Sequence, residues 1–167
     1  MISELRELYQ ETILDHSRKP RNFGELPTAN RRAEGYNPLC GDRATVALDL
    51  EGDLIKDIRF KGAGCSIFTS SASMMTESVK GKTRAEAGAL FERFHDLITS
   101  DPSQAKHRAV PELGKLAVFA GVSEFPVRVK CAALAWHTLK AALLGDPTPV
   151  STEVSESSSG DGGGHAL

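Results

Sequence analysis

The sequence predicts an α+β fold in which a small three-stranded antiparallel sheet packs against about five helices. Two patterns in the chain indicate this class. Apolar and polar residues alternate on both sides of the Glu51-Gly52-Asp53 turn, whereas apolar residues recur at helical spacing before and after this region. The length of 167 residues suits one domain that buries a core of its own.

The strand predictions depend on the alternation pattern. Residues 44–50 and 54–61 each alternate apolar with polar side chains, and the intervening turn joins them into a β-hairpin with one buried face. A weaker pattern over residues 29–36 predicts an edge strand, which completes the sheet.

Two helices are predicted around these strands. Periodic apolar residues predict the first helix over residues 3–16. The Gly62-Ala63-Gly64 segment breaks the last strand, and a second helix is predicted over residues 66–80. The second helix carries a face rich in Ser and Ala, so we expect another element to pack close against it.

Three further helices follow in the second half of the chain. A capping box formed by Thr83 and Glu86 opens the third helix. A short helix is predicted over residues 111–119. The last helix begins at Pro126, a residue favoured in the first helical turn, and ends at Gly145.

The composition changes near the C-terminus. Residues 1–146 form the predicted folded domain, and residues 147–167 form a predicted disordered tail rich in Ser and Gly. Deletion of residues 148–167 is therefore expected to leave the fold and the function intact.

Composition also excludes several classes of function. The net charge of −2 provides no bulk attraction to nucleic acid or to an anionic membrane, so neither is a predicted partner. No apolar run approaches the roughly 20 residues of a membrane helix, and the charged N-terminus lacks the apolar core of a signal peptide. We therefore expect a cytoplasmic protein with reduced thiols.

The three cysteines and one aspartate are the candidate metal ligands. Cys40 and Asp42 lie in a loop before a strand, Cys65 follows a glycine-rich turn at a helix start, and Cys131 lies in the first turns of the last helix. Zinc prefers four tetrahedral ligands from Cys, His and Asp, and Cys40, Asp42, Cys65 and Cys131 supply that number. A lone cysteine is more often a small buried apolar residue, and no C-x-x-C pair is present, so the spacing leaves both interpretations open.

Positive side chains lie beside these residues in the sequence. Arg43, Arg128 and Lys130 are the neighbours that could offset the negative charge of a thiolate-rich site. The alternative is that Arg128 and Lys130 belong to a solvated helix face. An anionic zinc thiolate site is also a source of a reactive sulfur nucleophile.

Four motifs in this order resemble the SufU family, a branch of the IscU-like iron–sulfur cluster assembly proteins (NifU N-terminal-like). They are LYQETILDH at residues 8–16, NPLCGD at 37–42, GAGCSI at 62–67 and FPVRVKC at 125–131. The similarity extends from about Leu5 to Leu144. Scaffolds of the IscU type carry a histidine before the third cysteine and a shorter segment between the second and third cysteines. Lys130 and the insert around residues 96–111 resemble SufU instead.

The resemblance implies a compact SufE/IscU-like α+β fold and a zinc-dependent sulfurtransferase. Such a protein accepts persulfide sulfur from a SufS-type cysteine desulfurase, whose pyridoxal phosphate belongs to the desulfurase. A desulfurase histidine would replace Cys40 at the zinc, so that Cys40 becomes the sulfur acceptor while Asp42, Cys65 and Cys131 hold the metal. Downstream iron–sulfur assembly proteins would then receive the sulfur.

Two alternatives use the same ligands. One is a scaffold on which a transient iron–sulfur cluster is built directly, for which thiolates are suitable ligands. The other is a non-catalytic, zinc-stabilised adaptor that activates the desulfurase. Lys130 in place of histidine argues against the scaffold.

Overall fold

The computed structural model describes residues 2–100, 111–145 and 150–152 and has the α+β architecture that the sequence predicts. Within these ranges there are four α-helices, one 3-10 helix and four strands. The elements in chain order are α1 (Ile2–Arg18), β1 (Arg31–Asn37), β2 (Asp42–Glu51), β3 (Leu54–Ala63), α2 (Ser66–Val79), α3 (Arg84–Thr99), the 3-10 helix (Pro111–Glu124), α4 (Pro126–Leu144) and β4 (Val150–Ser151).

The sheet has the strand order β3-β2-β1-β4. The β1–β2 and β2–β3 pairs are antiparallel, as predicted, and the β1–β2 register places Asn37 opposite Asp42. Residues 38–41 form the turn between these two strands. The turn therefore brings the two ends of the Asn37–Asp42 motif together at one edge of the hairpin.

The fourth strand differs from the prediction of three strands. Val150–Ser151 pairs in parallel with Gly35 and Tyr36 of β1, and the backbone amide of Thr152 donates to the Tyr36 carbonyl at 3.3 Å. The prediction of a disordered tail is thus wrong for residues 150–152. Strand β1 would otherwise be an edge with unpaired backbone groups, and a short segment satisfies them. Residues 147–149 and 153–167 of the predicted tail lie outside the described residues.

Helices α2 and α4 pack against the sheet and against each other. The expected close approach to the Ser- and Ala-rich face of α2 is confirmed. Ser71 Oγ donates to the carbonyl of Ala132 at 2.7 Å, and it accepts from Trp136 Nε1 at 3.2 Å. Because serine is short, these contacts hold the two helices close together.

Aromatic contacts place α4 in the core. The Trp136 ring stacks on Phe94 of α3 with centroids 4.7 Å apart, and Phe94 meets Phe119 of the 3-10 helix edge-on at 5.6 Å. Trp136 is 1% exposed, so its burial contributes strongly to stability. It lies about a turn and a half beyond Cys131 on the same helix, so these contacts also determine where Cys131 lies.

The predicted helix ends agree with the structure in most places. The Thr83–Glu86 capping box forms as predicted, and Gly145 ends α4 in the left-handed conformation with φ of 74°. The predicted short helix over residues 111–119 is a 3-10 helix that continues to Glu124 and is interrupted at Gly114. Among the described residues, none of the helices combines the length and apolar character that a membrane span requires.

His137 is a buried titratable group on α4. The residue is 9% exposed, and its ring lies edge-on to Phe91 and His95, with centroid distances of 5.3 and 5.8 Å. Within the part of the chain that the structure describes, no group hydrogen-bonds to its buried Nδ1. Burial, followed by the positive charges of His95 and Lys140, lowers the pKa of His137 to about 4.

Acidification is expected to destabilise the fold through His137. The unfolded chain, with a His pKa of about 6.5, binds more protons than the folded chain. The stabilisation is therefore complete above about pH 6.5 and is lost as the pH falls towards the folded pKa of about 4. Between about pH 8 and pH 5, the unaltered protein should lose about 2 kcal/mol more unfolding free energy than His137→Phe, measured by urea denaturation in excess chelator. Equal losses in the two proteins would contradict this assignment.

Candidate metal centre

The β1–β2 turn presents the first two predicted ligands with very different exposure. Cys40 is exposed within the turn, whereas Asp42 is 0% exposed at the start of β2. Gly41 has φ of 76°, and its amide donates to the Asn37 carbonyl at 2.8 Å, which closes the turn. One motif thus positions an accessible thiol and a buried carboxylate.

The β3–α2 junction contributes Cys65. The residue is the N-cap of α2, and its Sγ accepts from the Phe68 amide at 3.5 Å. Its own amide donates to Asp42 Oδ1 at 3.0 Å. Gly64 lies so close to Asp42 and Phe68 that a Cβ at this position would overlap both side chains. The glycine therefore permits the junction to pack on the carboxylate.

Helix α4 contributes Cys131. Pro126 begins the helix, as predicted, and Cys131 is 0% exposed. The Cys131 thiol donates to Cys40 Sγ at 3.3 Å. The contact joins residues that are far apart in the sequence.

Three of the four predicted ligands converge. Cys40 Sγ, Cys131 Sγ and a carboxylate oxygen of Asp42 all lie within 4.8 Å of one another. Cys65 is not a member of this group, although its backbone amide donates to Asp42 Oδ1 at 3.0 Å. The structure therefore places the fourth predicted ligand beside the group rather than within it.

The thiols of Cys65 and Cys131 influence each other's protonation. Interaction with the Cys131 thiol, aided by the Phe68 amide at the helix start, lowers the pKa of Cys65 to about 6. The same interaction, together with burial and the contacts with Cys40 and Asp42, raises the pKa of Cys131. The sulfur atoms of Cys40 and Cys65 and the Asp42 carboxylate thus all act on the Cys131 thiol.

The donor set fits a divalent cation with tetrahedral thiolate coordination. Zn–S bonds of about 2.3 Å place neighbouring sulfur ligands about 3.8 Å apart, which is close to the 3.3 Å between Cys40 and Cys131. Within the described ranges, no Lys, Arg or His side chain forms an ion pair with the buried Asp42. A bound cation would supply the charge that a buried carboxylate requires.

The predicted neighbouring cations adjoin the ligands in the sequence and differ in exposure. Arg43 and Arg128 are exposed, and Lys130 is half-buried in the first turns of α4. They can contribute positive charge near the ligands without forming part of the converged group.

Sequence reasoning missed two residues behind the ligands. Asn37 Nδ2 donates to Asp42 Oδ2 at 3.4 Å and to Cys131 Sγ at 3.7 Å. Thr152 Oγ1 donates to Asn37 Oδ1 at 3.0 Å. Asn37 belongs to the NPLCGD motif and could have been identified there. Thr152 lies in a segment whose composition is typical of a disordered tail, and it belongs to no motif that could have identified it.

Comparison with known proteins identifies relatives of the chain. Residues 8–132 match the family model of the NifU-like N-terminal domain. The iron–sulfur cluster assembly scaffold protein IscU of Streptococcus pyogenes serotype M1 is 39% identical over 142 residues, which are 85% of this chain and 86% of the relative. The zinc-dependent sulfurtransferase SufU of Bacillus subtilis (strain 168) is 38% identical, over 83% of this chain and 90% of the relative.

A solved structure shares the fold. It is a protein from Fervidobacterium islandicum AW-1 described as a candidate iron–sulfur cluster assembly scaffold for the SUF system. The TM-score is 0.71 at 34% identity, with 80% of this chain and 94% of that chain covered. The chain therefore belongs to the NifU-like N-terminal domain family, with relatives named IscU and SufU.

Proposed function

We propose that this protein is a zinc-dependent sulfur acceptor that takes persulfide sulfur from a pyridoxal-phosphate-dependent cysteine desulfurase for iron–sulfur cluster assembly. The main supporting observation is the unequal exposure of the converged ligands. Cys40 is exposed, whereas Asp42 and Cys131 are both 0% exposed. A partner can therefore reach the Cys40 thiol while Asp42 and Cys131 remain enclosed.

Cys40, Asp42, Cys65 and Cys131 are the proposed zinc ligands. The Cys65 amide already contacts Asp42, and we expect a change in the Cys65 side-chain rotamer to bring its thiol into the group. Bound zinc would keep the thiols deprotonated near neutral pH. The similarity to the SufU of Bacillus subtilis, named a zinc-dependent sulfurtransferase, supports zinc as the metal.

The transfer itself requires no net oxidation. The Cys40 thiolate attacks the outer sulfur of the desulfurase persulfide and forms a new S–S bond. The S–S bond of the desulfurase breaks at the same time, and its cysteine leaves as a thiolate. Cys40 then carries the sulfane sulfur to the next acceptor.

Exposed apolar side chains near the ligands in the sequence suit a docking partner. Leu39 and Phe125 are each 58% exposed, and Val127 is 51% exposed. Leu39 directly precedes Cys40, and the other two flank Pro126 at the start of α4. Arg128 adds an exposed positive charge on the same turn. Apolar groups with an adjacent cation are suitable for contact with a desulfurase surface.

An iron–sulfur scaffold is the second candidate. It is supported by the relatives named IscU and by the ability of converged thiolates to ligate iron. Lys130, which stands where IscU scaffolds carry a histidine, argues against it. Anaerobic reconstitution followed by transfer of an intact cluster to an apoprotein, at a rate that exceeds sulfur transfer, would favour the scaffold.

Incubation with a cysteine desulfurase and cysteine should add one sulfur atom to Cys40. Mass spectrometry of peptides locates the adduct, and metal analysis should find one zinc per chain. Cys40→Ala should acquire no sulfur and should fail to accelerate the desulfurase. If Cys40→Ala still stimulates the desulfurase fully, the protein is an adaptor rather than a sulfur acceptor.

Removal of zinc should lower the thermal stability substantially. Zinc present at about a thousandfold excess over its Kd contributes about 4 kcal/mol, or about 10 °C in Tm, because metal binding stabilises the folded state only. Calorimetry with and without chelator measures the shift. Asp42→Asn, which retains an acceptor for the Cys65 amide, should show a much smaller chelator effect. An unchanged Tm after complete removal of metal would exclude a stabilising metal.

Gly64→Ala should weaken zinc binding because the added methyl group overlaps the Asp42 carboxylate and the Phe68 ring. We expect a loss of at least about tenfold in zinc affinity, measured by chelator competition. Gly88→Ala is the matched control, since a Cβ there meets no atom within 4 Å. The control should bind zinc normally and gain about 0.5–1 kcal/mol of stability from the better helix former. Equal zinc affinities in both variants would contradict the role of Asp42.

A further inference from the structure

Hydrogen bonds link the start of the predicted tail to the proposed metal ligands. Thr152 Oγ1 donates to Asn37 Oδ1 at 3.0 Å. Asn37 Nδ2 in turn donates to Asp42 Oδ2 at 3.4 Å and to Cys131 Sγ at 3.7 Å. Asn37 is 0% exposed and Thr152 is 6% exposed, so water has little access to replace these contacts.

We propose that Thr152 and Asn37 are positioning residues for the metal centre. The Thr152 hydroxyl group orients the Asn37 amide so that its NH2 group faces Asp42 and Cys131. The inference rests on the proposed function, because it concerns ligands that bind a metal. It extends the centre to a residue of the C-terminal segment.

The orientation of the amide matters because its two ends have opposite polarity. As metal ligands, the Asp42 carboxylate and the Cys131 thiolate would only accept hydrogen bonds, so the NH2 group must face them. The carbonyl oxygen of Asn37 then points away from the ligands and requires a donor in a buried site, which Thr152 supplies. Without that donor, no hydrogen bond from the described residues would satisfy the buried oxygen, and rotation of the amide would direct it at the metal ligands.

Strand β4 delivers this hydroxyl group to its place. Parallel pairing of Tyr36 with Ser151 sets Thr152 beside Asn37, and the Thr152 amide donates to the Tyr36 carbonyl at 3.3 Å. Thr152 lies beyond the residues that match the family model, which end at 132. The contact therefore lies outside the segment that the family model matches.

Zinc affinity of the full-length protein, measured by chelator competition, tests the proposal. Thr152→Val should bind zinc about tenfold more weakly, whereas Thr152→Ser, which retains the hydroxyl group, should remain within about threefold of the unaltered protein. Thr138→Val is the matched control, because Thr138 is also a buried threonine but donates to the Leu134 carbonyl within α4. It should not alter zinc affinity. Equal affinities for Thr152→Val and Thr152→Ser would overturn the proposal.

A double-mutant cycle separates positioning from a general loss of structure. In an Asn37→Ala background, Thr152→Val should weaken zinc binding by less than about twofold, because Thr152 acts through Asn37. A full tenfold loss in that background would show that Thr152 acts through the fold instead. Deletion of residues 148–167, which the composition predicts to be harmless, should weaken zinc binding at least as much as Thr152→Val.

The NMR signals of the Asn37 NH2 group provide a readout that does not depend on zinc. They should shift in Thr152→Val and remain in place in Thr152→Ser and Thr138→Val. Unchanged signals in Thr152→Val would overturn the positioning role even if the protein is a sulfur acceptor. Conversely, if the protein binds zinc with the predicted dependence on Thr152 but Cys40 never carries sulfur, the proposed function fails and the positioning role stands.

Discussion

The carboxylate of Asp42 is fully buried where β2 begins, and it lies against the start of α2 and near the start of α4. A buried carboxylate requires hydrogen bonds and a compensating charge. The Cys65 amide and the Asn37 side chain supply the hydrogen bonds, and the absence of a side chain at Gly64 leaves the necessary space. The placement of the three cysteines depends on this arrangement, since the segments that carry them all meet at Asp42.

The same arrangement leaves some ligands buried and exposes another to solvent. Cys131 is held in the core by α4, whose position is determined by the stacking of Trp136 on Phe94. Cys40 lies in a turn closed by one backbone hydrogen bond and remains exposed. A rigid inner set and an accessible outer thiol suit a protein that must retain a metal while one of its sulfurs reacts. Interaction between the thiols lowers the pKa of Cys65 and raises that of Cys131.

Support for the centre extends behind the ligands. Asn37 contacts two of the converged ligands, and Thr152 contacts Asn37 from a strand that pairs with the outer edge of β1. The C-terminal segment thus belongs to the structural unit that contains the centre. This explains why a boundary at residue 146, drawn from composition alone, does not coincide with the end of the fold.

Local chemistry in the sequence was sufficient to predict the hairpin, the Thr83–Glu86 capping box and the beginnings of α2 and α4, because alternation, caps and proline act over a few residues. The motifs also identified all four candidate ligands. Only the tertiary structure showed that Cys65 lies beside the converged group, that Cys40 alone of the three cysteines is exposed, and that Thr152 reaches Asn37. These properties depend on contacts between residues distant in the chain, and a two-residue strand in a tail-like segment has too little local pattern to reveal such contacts.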